Sequence, residues 1–246
     1  SVAKFSVLPP PNVSLTSEYA PIISPDGKKL AFIARDASGK NMVWIRRIDS
    51  LTAQPLVGTE DARNPFWAPD SSSIAFLSGT KLKHVDLAGG APRTLCETPL
   101  ADQGGTWSSE GVILLGSSGT SPLVRVPPGG GACQAATGLN RERQERAHVF
   151  PQFLPDGRHF LYLARSTKQG NAAVMVGSLD SKETKLLLPS SSQAVYAAPG
   201  FLLFLRDKSL MAQRFDAGRL EFSGDAFAVA EQIAVNLFGD GMFSTS

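Results

Sequence analysis

Apolar residues occur along this chain in short runs, each closed by a cluster of Pro, Gly, Ser, Asp or Asn. The runs have strand length, not helix length, and favour Val, Ile, Leu and aromatic residues. The pattern therefore predicts strands joined by tight turns. Met42-Val43-Trp44-Ile45, Leu82-Lys83-His84-Val85, Leu123-Val124-Arg125-Val126 and Ala173-Val174-Met175-Val176 are such runs.

The runs recur in a fixed order. Residues 19–32, 63–76 and 149–162 each read Pro, three mostly apolar residues, Pro-Asp, then a strand ending in an aromatic residue. Residues 105–115 and 195–204 are weaker copies. Asp26 and Asp70 are 44 positions apart, Asp70 and Glu110 40, Glu110 and Asp156 46, and Pro155 and Pro199 44. A period of about 40–45 residues holding several strands is the signature of a propeller. Each copy continues through a second strand, a polar turn, a third strand, a second turn and a short last strand such as residues 55–57, 93–95 or 185–188. The expected fold is all-β: a β-propeller of four-stranded antiparallel blades, with five visible repeats.

The turn motif has a physical basis. In Ser24-Pro25-Asp26-Gly27, Pro fixes φ, the Asp side chain accepts turn N–H groups and Gly supplies a positive φ. Pro69 and Asp70, and Pro155, Asp156 and Gly157, repeat it. The three Asp residues are thus turn residues, not catalytic carboxylates. Ser71 replaces the Gly in the second copy, and Ser109-Glu110-Gly111 departs further in the third. Those two turns can differ in shape without changing the fold.

One domain is expected across residues 1–246, with blades at about 19–60, 61–100, 101–140, 146–190 and 192–232. Residues 239–246 read as the first strand of a sixth copy, and Phe5-Ser6-Val7-Leu8 as a donor of one outer strand. The chain thus reads as cut inside a ring of six or more blades, in preference to a five-bladed ring that closes as it stands.

Composition agrees. Gly 23 and Pro 17 in 246 residues argue for many turns and against a coiled coil, a helical bundle or a collagen. A net charge of +2 gives no case for nucleic acid, and no run is long and apolar enough for a membrane span. Two cysteines, Cys96 and Cys133, exclude a disulfide-dense scaffold. They read as unrelated small buried residues, with a disulfide as the alternative in an oxidising compartment.

Catalytic motifs are missing. There is no His-Arg-Asp loop, no Asp-Phe-Gly and no Gly-x-Ser-x-Gly elbow. Gly116-Ser117-Ser118-Gly119 is one residue too short for an elbow. Pro127-Pro128-Gly129-Gly130-Gly131 lacks the Gly-Lys-Ser/Thr of a phosphate loop and reads as a flexible turn. His84 and Asp86 share one strand face, but two ligands fall short of a zinc site. No catalytic residue, metal or cofactor is expected. Arg141-Glu142-Arg143-Gln144-Glu145-Arg146 reads as a solvated loop, and Trp44, Trp67 and Trp107 as packing between blades. Binding is expected at the funnel mouth, where inner strands begin: Glu18, Tyr19, Arg63, Asn64, Gln103, His148 and Gln193.

Residues 19–230 resemble the TolB-like propeller repeats, on the strength of residues 24–32 above all. Residues 148–162, with Phe5-Ser6-Val7-Leu8-Pro9-Pro10, resemble the C-terminal propeller of bacterial transmembrane serine/threonine protein kinases. That resemblance implies a non-catalytic sensor or protein-interaction domain outside the cytoplasm, with the kinase domain and a membrane helix lying in other residues. Its partner would be a protein, a peptide or a cell-envelope ligand, with no nucleic acid and no membrane insertion by these residues. The alternatives are a TolB-like periplasmic scaffold, or a propeller gating a serine peptidase domain outside these residues.

Overall fold

The computed structural model describes residue 9 and residues 12–16, 18–98, 101–236 and 241–246. The proposed outer-strand donor, Phe5 to Leu8, lies outside the described residues. Among those described there is no helix, and hence none long and apolar enough to cross a membrane.

Five antiparallel sheets form the blades. Blade 1 holds β1 (Ser14–Leu15), β2 (Ile22–Ile23), β3 (Lys29–Arg35), β4 (Asn41–Arg47) and β5 (Ala53–Pro55). β1 and β2 pair with opposite ends of β3, so together they make one interrupted inner strand. Blade 2 holds β6 (Arg63–Trp67), β7 (Ser73–Ser78), β8 (Lys81–Asp86) and β9 (Arg93–Glu97). Blade 3 holds β10 (Ala101–Trp107), β11 (Ile113–Ser117), β12 (Val124–Val126) and β13 (Gln134–Ala135). Blade 4 holds β14 (Glu145–Phe153), β15 (His159–Ser166), β16 (Ala173–Ser178) and β17 (Lys185–Pro189). Blade 5 holds β18 (Ala194–Ala197), β19 (Phe201–Arg206), β20 (Ser209–Asp216) and β21 (Glu221–Ala230). Within each blade, sequence order is spatial order from the axis outward.

Burial explains the strand sequences. β3, β7, β11 and β15 are buried nearly throughout, because sheets cover both of their faces. They read as continuous apolar runs for that reason. β13 and β21, at the rim, are largely exposed and carry polar residues.

The core is divided among the seams between blades. Ala31 and Val43 of blade 1 meet Trp67, Ile74 and Phe76 of blade 2. Leu77, Leu82 and Cys96 of blade 2 meet Ile113, Leu115 and Val126 of blade 3. Leu114 and Leu123 meet Phe160, Tyr162 and Met175 of blade 4. Leu161 and Val174 meet Leu202, Phe204 and Phe215 of blade 5. Trp67 and Trp107 pack in seams, as expected. Trp44 alternates with Val43 on β4, so it points to the face turned away from blade 2.

The turns of blades 1 to 4 close alike. The N–H of Gly27, Ser71, Gly111 and Gly157 donates to the carbonyl three residues back, and each has φ between 60° and 86°. Ser71 takes this strained conformation because its hydroxyl accepts the Asp26 N–H of blade 1 at 3.1 Å. The third turn departs in sequence and keeps its shape.

Two readings change. The Gly-rich turn of blade 3 is docked, not free: Gly131 N donates to Leu95 O of blade 2 at 2.8 Å. A Cβ on Gly130 would stand 2.5 Å from that same oxygen. Cys96 and Cys133, expected to be unrelated, pack in one seam.

Residues 241–246 form no strand of a sixth blade; their one ladder contact is an isolated bridge from Gly241 to Val235. They lie between blades 5 and 1. Ser244 Oγ donates to Pro21 O at 3.0 Å and Thr245 Oγ1 to Tyr196 O at 3.0 Å.

If the seams hold the fold, Phe160→Ala, which empties a side chain of 0% exposure, lowers unfolding free energy by about 3–5 kcal/mol. Leu51→Ser, at 95% exposure, changes it by less than about 0.5 kcal/mol. Urea denaturation of both variants measures the contrast.

Candidate functional site: the axial channel

The inner strands of blades 2, 3 and 4 share one irregularity. Pairing slips between Arg63 and Phe66, between Ala101 and Gly105, and between Val149 and Gln152. At each slip one residue is left-handed: Asn64 at φ 44°, Gly104 at 81° and Phe150 at 53°. Bulges of this kind re-aim side chains. Gly accepts the conformation freely and Asn tolerates it, but for Phe it is strained. Pro65 and Pro151 add to the strain, since a residue before Pro prefers extended backbone.

Neighbours hold the bulges in place. Asn64 Nδ2 donates to the backbone and side-chain oxygens of Asp102 at 2.7 and 2.9 Å. The Phe150 ring carries the Arg165 guanidinium 5.5 Å from its centre. Its backbone passes Gly116, where a Cβ would stand 1.9 Å from Gln103 O and 3.0 Å from Phe150 N.

The inner strands enclose a channel of about 950 Å³ along the axis. Its mouth holds Glu18, Tyr19, Arg63, Asn64, Asp102, Gln103 and Gln193, so the structure gathers six of the seven expected residues there and adds Asp102. Phe150, Phe153 and Tyr196 line the middle, and Pro25, Pro69 and Pro155 of the turns stand at the far end.

Charge at the mouth is uneven. Arg63 Nη1 pairs with Asp102 Oδ2 at 3.1 Å, and Arg63 Nη2 donates to Gly79 O at 2.8 Å. Burial still raises the Asp102 carboxyl above its ordinary value, because Arg63 and Asn64 offset the lost hydration only in part and Glu18 repels the charge. Burial, with Asp102 and Glu18 beside it, pushes the Tyr19 phenol up to about 12. The mouth therefore disfavours additional negative charge.

The channel wall also grips peptide backbone. Gln152 accepts from Tyr196 N at 2.6 Å and donates to Tyr196 O at 3.2 Å. Gln193 does the same to Gly241, donating to its O at 2.6 Å and accepting from its N at 3.2 Å. A side-chain amide thus takes the role of a strand neighbour.

His148 requires a correction: it does not face the channel. It is 0% exposed, and its equivalent in blade 2, Ala62, is also fully buried. His148 Nε2 donates to Glu145 Oε2 at 3.0 Å, and Nδ1 lies 2.7 Å from Thr137 Oγ1. Thr137 Oγ1 also accepts from Leu123 N at 3.0 Å. The row Thr137, His148, Glu145 has the order of a nucleophilic relay, but no substrate can reach the sealed imidazole. Residues 141–146 are likewise not all solvated. Glu145 is 3% exposed at its side chain and also accepts from Asn140 N and Arg143 Nε. Burial works against its charge, yet these donors outweigh it and hold the carboxyl below the usual range.

His84 lies edge-on to Trp107, its ring 5.2 Å away, with Asp86 Oδ1 3.5 Å from Nε2. His159 Nδ1 contacts Asp156 in an exposed turn. Among the described residues no three His, Cys, Asp or Glu side chains gather as metal ligands. Asp102 and Phe150 were missed from sequence: Asp102 sits in the weakest repeat, and Phe150 reads as a core aromatic.

No protein family matches the chain in sequence, and no curated protein does. Solved structures do match in fold. TolB from Acinetobacter baumannii is 14% identical with a TM-score of 0.66, over 86% of this chain and 55% of that one. The chain thus spans about half the length of that protein. A protein described as TolB from Agrobacterium tumefaciens is 16% identical with a TM-score of 0.61, over 85% and 79%. One of two prolyl endopeptidases is 17% identical with a TM-score of 0.53, over 94% of this chain and 35% of its own. At these identities the likeness concerns the fold: this is a β-propeller of the kind found in TolB.

The lowered Glu145 value fixes a pH dependence. Its stabilising contribution is complete above the ordinary Glu pKa of about 4.3 and fades as pH falls through the native value. Glu145→Gln is expected to lower the melting temperature at pH 7 and to flatten its decline between about pH 5 and pH 3. Thermal melts across that range read both effects.

Proposed function

We propose that this chain is a non-catalytic interaction module on a TolB-type propeller. It works as a scaffold in the cell envelope and binds an extended protein or peptide segment in the axial channel. The observation that carries this reading is the wall's grip on backbone: Gln193 and Thr245, with Ser244 beyond them, seat residues 241–246 in the channel wall through side-chain hydrogen bonds. A wall that holds one extended segment in this way offers the same chemistry to another. The aromatic middle supplies apolar area, while Glu18 and Asp102 against Arg63 favour a neutral or cationic segment.

The TolB-type fold favours the scaffold reading over the kinase-linked sensor. The peptidase-type neighbours share the propeller as well, and in that arrangement catalysis would belong to other residues. The histidines support a non-catalytic role. Each is committed to a local carboxylate, and His148 is sealed from the channel.

A photo-crosslinking residue placed at Gln103, inside the mouth, is expected to trap a partner protein in living cells. The same residue at Leu51, on the outer rim, traps none. Arg63→Ala, which breaks the pair with Asp102, is expected to reduce the Gln103 adduct at least about tenfold, corresponding to about 1.4 kcal/mol. Adducts formed only from the rim position would refute a channel site. A Gly-x-Ser-x-Gly hydrolase or a His-Arg-Asp kinase domain encoded beside this segment would replace the scaffold reading.

A further inference from the structure

The seam between blades 2 and 3 brings together both cysteines of the chain. Cys96 lies on β9, the outermost strand of blade 2, and is 6% exposed. The β8–β9 pairing slips between Leu82 and Lys83, so Leu95 and Cys96 both turn into the seam. Cys133 arrives from the other side, just before β13, and stays partly exposed. Backbone contacts fix its approach. Gly131 N donates to Leu95 O at 2.8 Å. Gly130 passes too close to Leu95 to bear a side chain. The Cys133 thiol donates to Glu97 O, the carbonyl of the residue after Cys96, at 3.6 Å, and packs against the seam cluster that holds Cys96. Both cysteines are free.

We propose that Cys96 and Cys133 are a redox pair that closes into a disulfide between blades 2 and 3 when the chain meets a small-molecule disulfide. Exposure sets the order of events. The Cys133 thiolate, which solvent reaches, attacks the external disulfide and releases one small thiol, leaving a mixed disulfide. Cys96 gives its proton to solvent and its sulfur attacks the Cys133 sulfur, releasing the second small thiol. Two protein thiols are oxidised, one external disulfide is reduced, and both protons end on the released thiols. Burial pushes the Cys96 thiol up, so its attack relies on its nearness to Cys133 within the seam. The bond spans the outer strands of neighbouring blades, from β9 to the residue before β13, and encloses β10, β11 and β12 in its loop. Such a loop closure restrains the unfolded chain.

The folded chain is treated with oxidised glutathione at pH 8, and free thiols are counted before and after. The expected result is that two thiols fall to none, with a Cys96–Cys133 linkage inside single chains by peptide mapping. The melting temperature rises by about 5 °C or more, and dithiothreitol reverses both changes. Cys96→Ala, which preserves a small side chain in the seam, is expected to keep a lasting glutathione adduct at Cys133 and to gain no thermal stability. Two surviving thiols, a glutathione adduct that Cys96 never displaces, or a linkage between chains overturns the proposal.

Discussion

A four-stranded sheet with two apolar faces cannot satisfy either face alone, and that constraint governs this molecule. Blades 2, 3 and 4 hide one face on the blade before and the other on the blade after, and blades 1 and 5 each share one such seam among the described residues. The core is therefore several flat slabs, with Phe76 in one and Phe160 in another, each formed by two blades. The channel follows from the same geometry. Sheets packed face to face around an axis keep roughly 10 Å between them, so their innermost strands surround a space they cannot fill.

Crowding near the axis accounts for the irregular backbone there. The inner strands of blades 3 and 4 approach so closely that Gly116 admits no Cβ between Gln103 and Phe150. Left-handed residues relieve the crowding by turning the strand. For Phe150 this costs on the order of 1–3 kcal/mol, which the surrounding seams can sustain because they overdetermine the strand's position. The outcome is a ring of side chains aimed inward that a regular ladder would have directed along the seams.

Much of this was legible in the chain. The repeat of Pro-Asp turns every 40–46 residues revealed the blades, because turn chemistry is local and needs no partner to be recognised. Six mouth residues could be placed at the channel too, since they stand where the inner strand of each repeat begins. His148 was misplaced because the partners that draw it inward, Thr137 and Glu145, are not legible from its place in the repeat. Phe150 was invisible for a different reason. Its inward aim depends on a bulge imposed by neighbouring blades, and nothing in residues 149–152 alone calls for one. Ser71 shows the converse. A residue that breaks the turn rule is held by a hydrogen bond from Asp26, some 45 residues away.

The joints between successive blades are unlike one another. Among the described residues, those from blade 1 through blade 5 are greasy, whereas the gap between blade 5 and blade 1 is spanned by residues 241–246 through hydroxyl and amide contacts. That joint is held by directional polar contacts where the other four are held by apolar area, so its hold depends on the placement of a few side chains.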